Sequence, residues 1–223
     1  MKLHGAFGSS GTLRVRIALN LKGIGYEAAS SPIGSAVESR PSGARGGGGA
    51  YTGAESSLPY LEDRGDLVLQ SLAIIDYLDD THPFPPFLPA CPVERARVRA
   101  IAQMLAVDIH PLISPRACTY LTAGIADENS VRAWVTHWLE QGFGMVEEFL
   151  DASPLTGRFC HGNAPTLADI CLVPEILLAQ ARGFDLTPYP AMRRIHEDCI
   201  GLEAFARAIA ERRAPRMSSL EKA

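Results

Sequence analysis

Four prolines fall within eight residues in His82-Pro83-Phe84-Pro85-Pro86-Phe87-Leu88-Pro89. Each removes a backbone N–H and restricts the residue before it, so neither a helix nor a sheet strand runs through the stretch. It reads as a linker. It divides the 223 residues into a leading segment over 1–81 and a trailing one over 90–223, each long enough to bury a core. The leading segment mixes short apolar runs with helical periodicity. From Val93 onward nearly every stretch carries helical spacing, over about 93–122, 128–150, 166–182, 188–199 and 202–213. An α/β domain followed by an all-α domain is the fold class expected. On the second of those helices Trp134, Trp138, Leu139, Phe143 and Val146 carry the apolar spacing, and Thr166-Leu167-Ala168-Asp169 has the form of a capping motif before an apolar run.

Within the leading segment, Met1-Lys2-Leu3-His4-Gly5-Ala6-Phe7 suits a first strand. Ser9-Ser10-Gly11-Thr12 then opens an amphipathic helix in which Leu13, Ile17 and Leu21 recur every four residues, with Gly23 at the place of a left-handed C-cap. Such a strand-to-helix crossing points free N–H groups and the positive end of a helix dipole at whatever lies above it, which favours an anion. Tyr26-Glu27-Ala28-Ala29 begins a second strand. From Ser30 to Ser57 the chain is rich in Gly, Ser, Ala and Pro and has no sustained apolar period, so a long mobile loop is expected. Leu58-Pro59-Tyr60-Leu61-Glu62-Asp63 and Leu67-Val68-Leu69, joined by a Gly-containing turn, read as a hairpin, and Ser71 as the cap of a helix through Leu78.

The formal net charge of −4 lends no support to a nucleic-acid or anionic-membrane partner. No apolar run approaches the roughly 20 residues that span a bilayer. The first residues lack the basic and apolar regions of a secretion signal, so a cytoplasmic protein is expected. The five cysteines are scattered and form no C-x-x-C pair, which argues against a zinc site and a disulfide framework. They read as reduced, mostly buried small hydrophobes, with Cys118 beside Arg116 the one whose reactivity stands out.

Ser9-Ser10 followed by Arg14-Val15-Arg16-Ile17-Ala18-Leu19 resembles the amino-terminal signature of zeta-class glutathione transferases, the family of maleylacetoacetate and maleylpyruvate isomerases. Leu69-Gln70-Ser71-Leu72-Ala73-Ile74-Ile75-Asp76-Tyr77-Leu78, Asp108-Ile109-His110-Pro111, Leu167-Ala168-Asp169-Ile170-Cys171-Leu172-Val173-Pro174 and Asp185-Leu186-Thr187-Pro188-Tyr189-Pro190 extend the likeness over nearly the whole chain. The resemblance implies a thioredoxin-like glutathione-binding domain over 1–81, a helical substrate domain over 90–223 and a homodimer. It also implies a small unsaturated keto acid as substrate, with no metal or redox cofactor.

By the same resemblance the Ser9 hydroxyl faces the glutathione sulfur, with Ser10 beside it, where a donor and a helix N-terminus stabilise thiolate over thiol. Leu58-Pro59 matches the pair that holds the cysteinyl unit through a cis-proline, and Gln70-Ser71 the pair that holds the γ-glutamyl end. Arg116 and Arg182 match arginines set against substrate carboxylates, which a guanidinium fork suits. The residues by themselves leave plainer readings open. Ser9, Ser10 and Thr12 serve equally as N-caps, Leu58-Pro59 as a turn, and each arginine as a solvated charge. His110 reads as a satisfied core histidine and Asp169 as a buried capping carboxylate.

The resemblance also has gaps. An arginine common in the family just before the serines is Gly8 here, its cysteine is Gly11 and its tryptophan is Leu13, while residues 30–57 replace its second helix. The expected chemistry is addition of glutathione thiolate to a cis double bond, rotation and elimination to the trans isomer. Conjugation of a small electrophile, or glutathione-transferase-like binding without catalysis, are the alternatives.

Overall fold

The computed structural model describes residues 1–30 and 59–211. By contacts the chain divides into two compact units, Met1–Phe84 with the chain from Glu203 onward, and Pro85–Leu202. In the first unit, strands β1 (Lys2–Gly5), β2 (Glu27–Ser30), β3 (Tyr60–Asp63) and β4 (Asp66–Leu69) form one sheet in the order β2-β1-β3-β4. β1 runs parallel to β2, with Leu3 opposite Ala28, and antiparallel to β3, with Leu3 opposite Leu61. A parallel neighbour requires a crossover, and helix α1 (Ser10–Leu21) supplies it. The β3–β4 hairpin closes at Asp63 and Asp66 around Arg64 and Gly65, whose φ angles of 52° and 88° match the two-residue turns that follow the natural twist of strands. Helix α2 (Ser71–Thr81) follows β4, which completes a thioredoxin-like layer. The loop expected over Ser30–Ser57 begins one residue late, since Ser30 closes β2; residues 31–58, Leu58 among them, lie outside the described residues.

Helix α1 is not amphipathic in its setting, because every residue from Ser10 to Leu19 is buried. Its outer side is covered by α9 (Glu203–Ala210), a helix that the sequence analysis places with the trailing domain. Polar groups fix that docking. The Asn20 amide donates to the Ala204 carbonyl at 3.1 Å, Arg16 Nη1 to the Glu211 carbonyl at 2.5 Å, and the Tyr26 hydroxyl to the Glu211 carboxylate at 2.6 Å. At its end Gly23, with φ of 65°, lets its own N–H reach the Asn20 carbonyl and the Ile24 N–H reach that of Leu19. This double turn-back satisfies carbonyls a helix end leaves open.

The second unit holds α3 (Pro92–Gln103), α4 (His110–Ile113), α5 (Pro115–Thr122), α6 (Glu128–Asp151), α7 (Leu167–Gln180) and α8 (Pro190–Ile200). The single helix expected over 93–122 is broken twice, each time at a proline. Met104–Ile109 widens into a π-helical segment just ahead of Pro111, whose missing N–H interrupts the ordinary ladder. Ser114 is extended, as a residue before proline prefers, and its hydroxyl accepts from the Ala117 N–H at 3.2 Å to restart the chain as α5. The widened turn presses Ile109 against α6 at Gly142, where any Cβ would overlap the isoleucine side chain.

On α6 the buried stripe is Val131, Val135, Leu139, Phe143, Val146 and Leu150. The tryptophans flank it: Trp134 is exposed, and its indole N–H donates to the Leu112 carbonyl at 2.8 Å. An indole prefers an acceptor, and the rim position gives Trp134 one. The Asp169 carboxylate accepts from the Thr166 N–H, the Thr166 hydroxyl and the Cys160 N–H, each at 2.8 Å, which fits the capping role expected. Burial nonetheless pushes its carboxyl above the ordinary range. All five cysteines are free, and Cys160, Cys171 and Cys199 are buried.

Candidate active site

The first crossing places Ser9 at the N-cap of α1. Its N–H donates to the Ala6 carbonyl at 3.2 Å, which tightens the turn, and its Oγ accepts from the Thr12 N–H at 3.3 Å. A hydroxyl that accepts in this way keeps its own proton to donate. Capping and ligand binding therefore do not compete for Ser9. The amides of Ser10 and Gly11, in the first helical turn, have no carbonyl within the helix to donate to. Ser10 is buried and Ser9 half-buried. Pro59 stands over the same turn: a Cβ built on Gly11 would lie 3.0 Å from Pro59 Cδ and 3.7 Å from Ser9 Oγ. Ser9, Gly11 and Pro59 are thus brought together.

The start of α2 is a second group of donors. Gln70, not Ser71, is the N-cap; it sits at φ of 70° with an exposed side chain and makes no side-chain cap bond. A non-glycine residue held in that region is strained, and such strain gathers at binding sites. Ser71 is the first helical residue, buried, and its Oγ accepts from Arg14 Nη1 at 3.5 Å. That contact ties the two helix starts, since Arg14 lies on α1. No acidic residue stands in the first turn of α2, so its positive end is open to a carboxylate.

In the second unit Arg182 reaches Cys118, with Nη1 3.4 Å from Sγ. Both line a cleft of about 780 Å³ between α5, α6 and the segment before α8, floored by Val131, Val135 and Leu139. The guanidinium at Cys118 belongs to Arg182 rather than to Arg116, its neighbour in sequence. Arg116 is exposed in the first turn of α5 and does not line that cleft. His110 Nδ1 lies 3.1 Å from the Glu175 carboxylate, which is fully buried on α7. Arg14 and Glu175 are the partners that sequence reasoning passed over, whereas it singles out Cys118, but beside Arg116 rather than Arg182. Glu175 did leave a trace, as the one acid within the apolar run Ile170–Ala179. Nothing in spacing announces the contact of Arg14.

Among the described residues no group of three or more His, Cys, Asp or Glu is arranged to hold a metal ion, and no helix is long and apolar enough to cross a membrane.

A sheet of this order with a hydroxyl at the first helix start, followed by a helical unit, is the architecture of glutathione transferases. The family model described as "Glutathione S-transferase, N-terminal domain" matches residues 3–86. The probable maleylacetoacetate isomerase of Vibrio cholerae is 41% identical over 213 residues, covering 94% of this chain and 95% of that protein. A bacterial maleylpyruvate isomerase of the zeta class superposes with a TM-score of 0.83 at 35% identity, over 96% of this chain and 99% of that one. The maleylacetoacetate isomerase of Anaeromyxobacter dehalogenans, solved with GSH in its active site, gives a TM-score of 0.80 at 32% identity over 96% of each chain. This chain belongs to the maleylacetoacetate and maleylpyruvate isomerase family of zeta-class glutathione transferases.

Proposed function

We propose that the chain is a glutathione-dependent cis–trans isomerase of an unsaturated keto acid of the maleylacetoacetate or maleylpyruvate kind. The observation that carries the reading is the Ser9 hydroxyl, fixed by the Thr12 N–H at 3.3 Å with its proton still to give, at the entrance of a buried helix. The residues present suit the tripeptide: a hydroxyl and two helix-start amides for a thiolate, and a second helix start without acids for a carboxylate. Bound glutathione supplies a thiol whose addition to the cis double bond makes it a single bond free to rotate, and whose elimination restores the alkene as trans with the tripeptide unchanged.

Ser9 favours the thiolate by donating its proton, and the positive end of α1 adds to that preference. As charge passes from sulfur to the substrate's carbonyl oxygen during addition, the Ser10 and Gly11 amides that face the thiolate stabilise the negative charge on that oxygen too. Ser71 and Gln70 orient the γ-glutamyl end, and Pro59 with Leu58 the cysteinyl unit. By the resemblance, Arg116 and Arg182 take the substrate's carboxylates. A homodimer working in the cytoplasm completes the reading.

The test is incubation of maleylpyruvate with the protein and glutathione, with cis and trans vinyl protons followed by NMR. Conversion that stops when S-methylglutathione replaces glutathione supports the reading. No rate above the uncatalysed one, or a product that keeps the sulfur, overturns it; the second result identifies a conjugating enzyme instead.

A further inference from the structure

The turn that carries Ser9 is gripped from further along its own helix. Ser9 is extended, with φ of −74° and ψ of 127°, so the direction of its hydroxyl follows the path of the chain from Ala6. The Ser9 N–H donates to the Ala6 carbonyl at 3.2 Å and closes the turn around Phe7 and Gly8. Gly8 has no side chain, which leaves Phe7 as the residue inside the turn that the rest of the unit can hold. The guanidinium of Arg16 holds it, with Cζ 5.6 Å from the ring centre. Arg16 is 4% exposed, and a cation is drawn to an aromatic face more strongly away from water.

Arg16 is aimed in its turn. Its Nη1 donates to the Glu211 carbonyl at 2.5 Å, while the Glu211 carboxylate accepts from the Tyr26 hydroxyl at 2.6 Å and from Arg207 Nε at 3.0 Å. A run of contacts, all within the first unit, thus leads from the end of α9 through the guanidinium to the residue two places before Ser9. A hydrogen bond weakens steeply as its donor swings off line, so a turn free to wander gives up part of the thiolate preference that the Ser9 proton supplies. Packing alone does not call for a guanidinium here, since an apolar side chain of like volume serves a buried position as well or better.

We propose that Arg16 is a positioning residue of the glutathione site: through the Phe7 ring it holds the Ala6–Ser9 turn so that the Ser9 hydroxyl points at the sulfur. The proposal rests on the isomerase reading above, which places that sulfur at Ser9.

The experiment reads the pKa of the bound glutathione thiol from the ultraviolet absorbance of its thiolate across a pH titration, with urea unfolding of every variant alongside. Arg16→Met and Phe7→Leu should each raise that pKa, leaving about three- to tenfold less thiolate at a fixed pH below it, the scale of one desolvated cation–π contact. The double variant should show no more than either change alone, because Arg16 acts through the ring. Tyr26→Phe removes one bond to Glu211, whose carboxylate Arg207 still holds, and touches neither the guanidinium nor the ring. It should lower stability yet keep the thiolate fraction within about twofold of wild type. Phe7 is only half-buried, so Phe7→Leu decides the matter if Arg16→Met does not fold. An unmoved thiol pKa in folded Arg16→Met or in Phe7→Leu overturns the proposal and leaves the isomerase reading intact. Effects that add in the double variant do the same, since Arg16 then acts by its charge and not through the turn; so does an equal shift in Tyr26→Phe, which marks a general loosening of the unit. Wild type that binds no glutathione overturns the isomerase reading and this proposal with it.

Discussion

Replacing Ser9 by alanine removes two interactions of different kinds, and pH separates them. The first is the cap. Loss of the bond from the Thr12 N–H at 3.3 Å costs about 1 kcal/mol of stability, the usual cost of an N-cap serine changed to alanine. The second is the proton that the hydroxyl donates to the glutathione sulfur. A hydrogen bond to a charged group contributes about 1.5–3 kcal/mol, and at 1.36 kcal/mol per unit its removal raises the thiol's apparent pKa by roughly one to two units. The direction follows from the donor's preference for thiolate: without it, less thiolate is present at any pH below the new pKa. At neutral pH, kcat/KM for glutathione should fall by about 10- to 100-fold, and the gap should narrow as pH rises toward the raised value. The assay is the pH profile of kcat/KM at limiting glutathione for wild type, Ser9→Ala and Ser9→Thr, with urea unfolding of each. Threonine keeps both hydroxyl and cap and should stay near the wild-type profile. If Ser9→Ala loses the stability but keeps the wild-type pKa, Ser9 is a cap alone and the thiolate is stabilised elsewhere.

Asp169→Asn preserves shape but sets an amide N–H₂ against a backbone N–H that now meets carboxylate oxygen, so urea unfolding should show a loss of about 2–3 kcal/mol; an isostable variant would mean that the hydrogen bonds at Cys160 and Thr166 contribute nothing net. His196 is 5% exposed and burial lowers its pKa from the ordinary 6.5, so the folded state resists a proton that the unfolded chain accepts. Stability from this group is present above 6.5 and lost as pH falls through the lowered value. His196→Leu should lose less unfolding free energy than wild type between about pH 7 and pH 5, and an equal loss would show that His196 does not contribute to the acid limb.

Local rules carried much of this fold. A capped helix between two parallel strands, a hairpin with glycine at its turn and a capping motif before α7 are written in neighbouring residues, because each depends on contacts a few positions apart. What could not be read is what the chain does with distant partners. The periodicity of Leu13, Ile17 and Leu21 predicts one apolar face, yet α1 is buried throughout, since α9 returns some 180 positions later to cover it. On α6 the expected Leu139, Phe143 and Val146 are buried, but packing completed the stripe with Val131, Val135 and Leu150 in place of the larger Trp134 and Trp138. At the site, Ser9 and Gln70-Ser71 were recognisable by motif. The Arg14 contact to Ser71 and the Arg182 contact to Cys118 join residues 57 and 64 positions apart, and no spacing rule reaches that far.

The enclosure of α1 bears on chemistry as well as on stability. Dipolar stabilisation works only when the donors are already aimed where charge develops, because a helix that moves to meet the charge loses part of the gain in reorganisation. α1 is held by Thr12 packed over Gly5 of β1, by α2 through the Lys22 to Asp79 pair at 2.6 Å, and by α9 through Asn20 and Arg16. Its first turn is fixed in addition by the Ser9 cap and by Pro59 against Gly11. Two buried arginines are a costly way to fill a helix face. Here each is committed to aligning part of the site: Arg14 spans to the start of α2, and Arg16 joins the Phe7 ring ahead of Ser9 to the end of α9. The rigidity that burial confers on the helix is thus the same property that keeps its terminal donors in place.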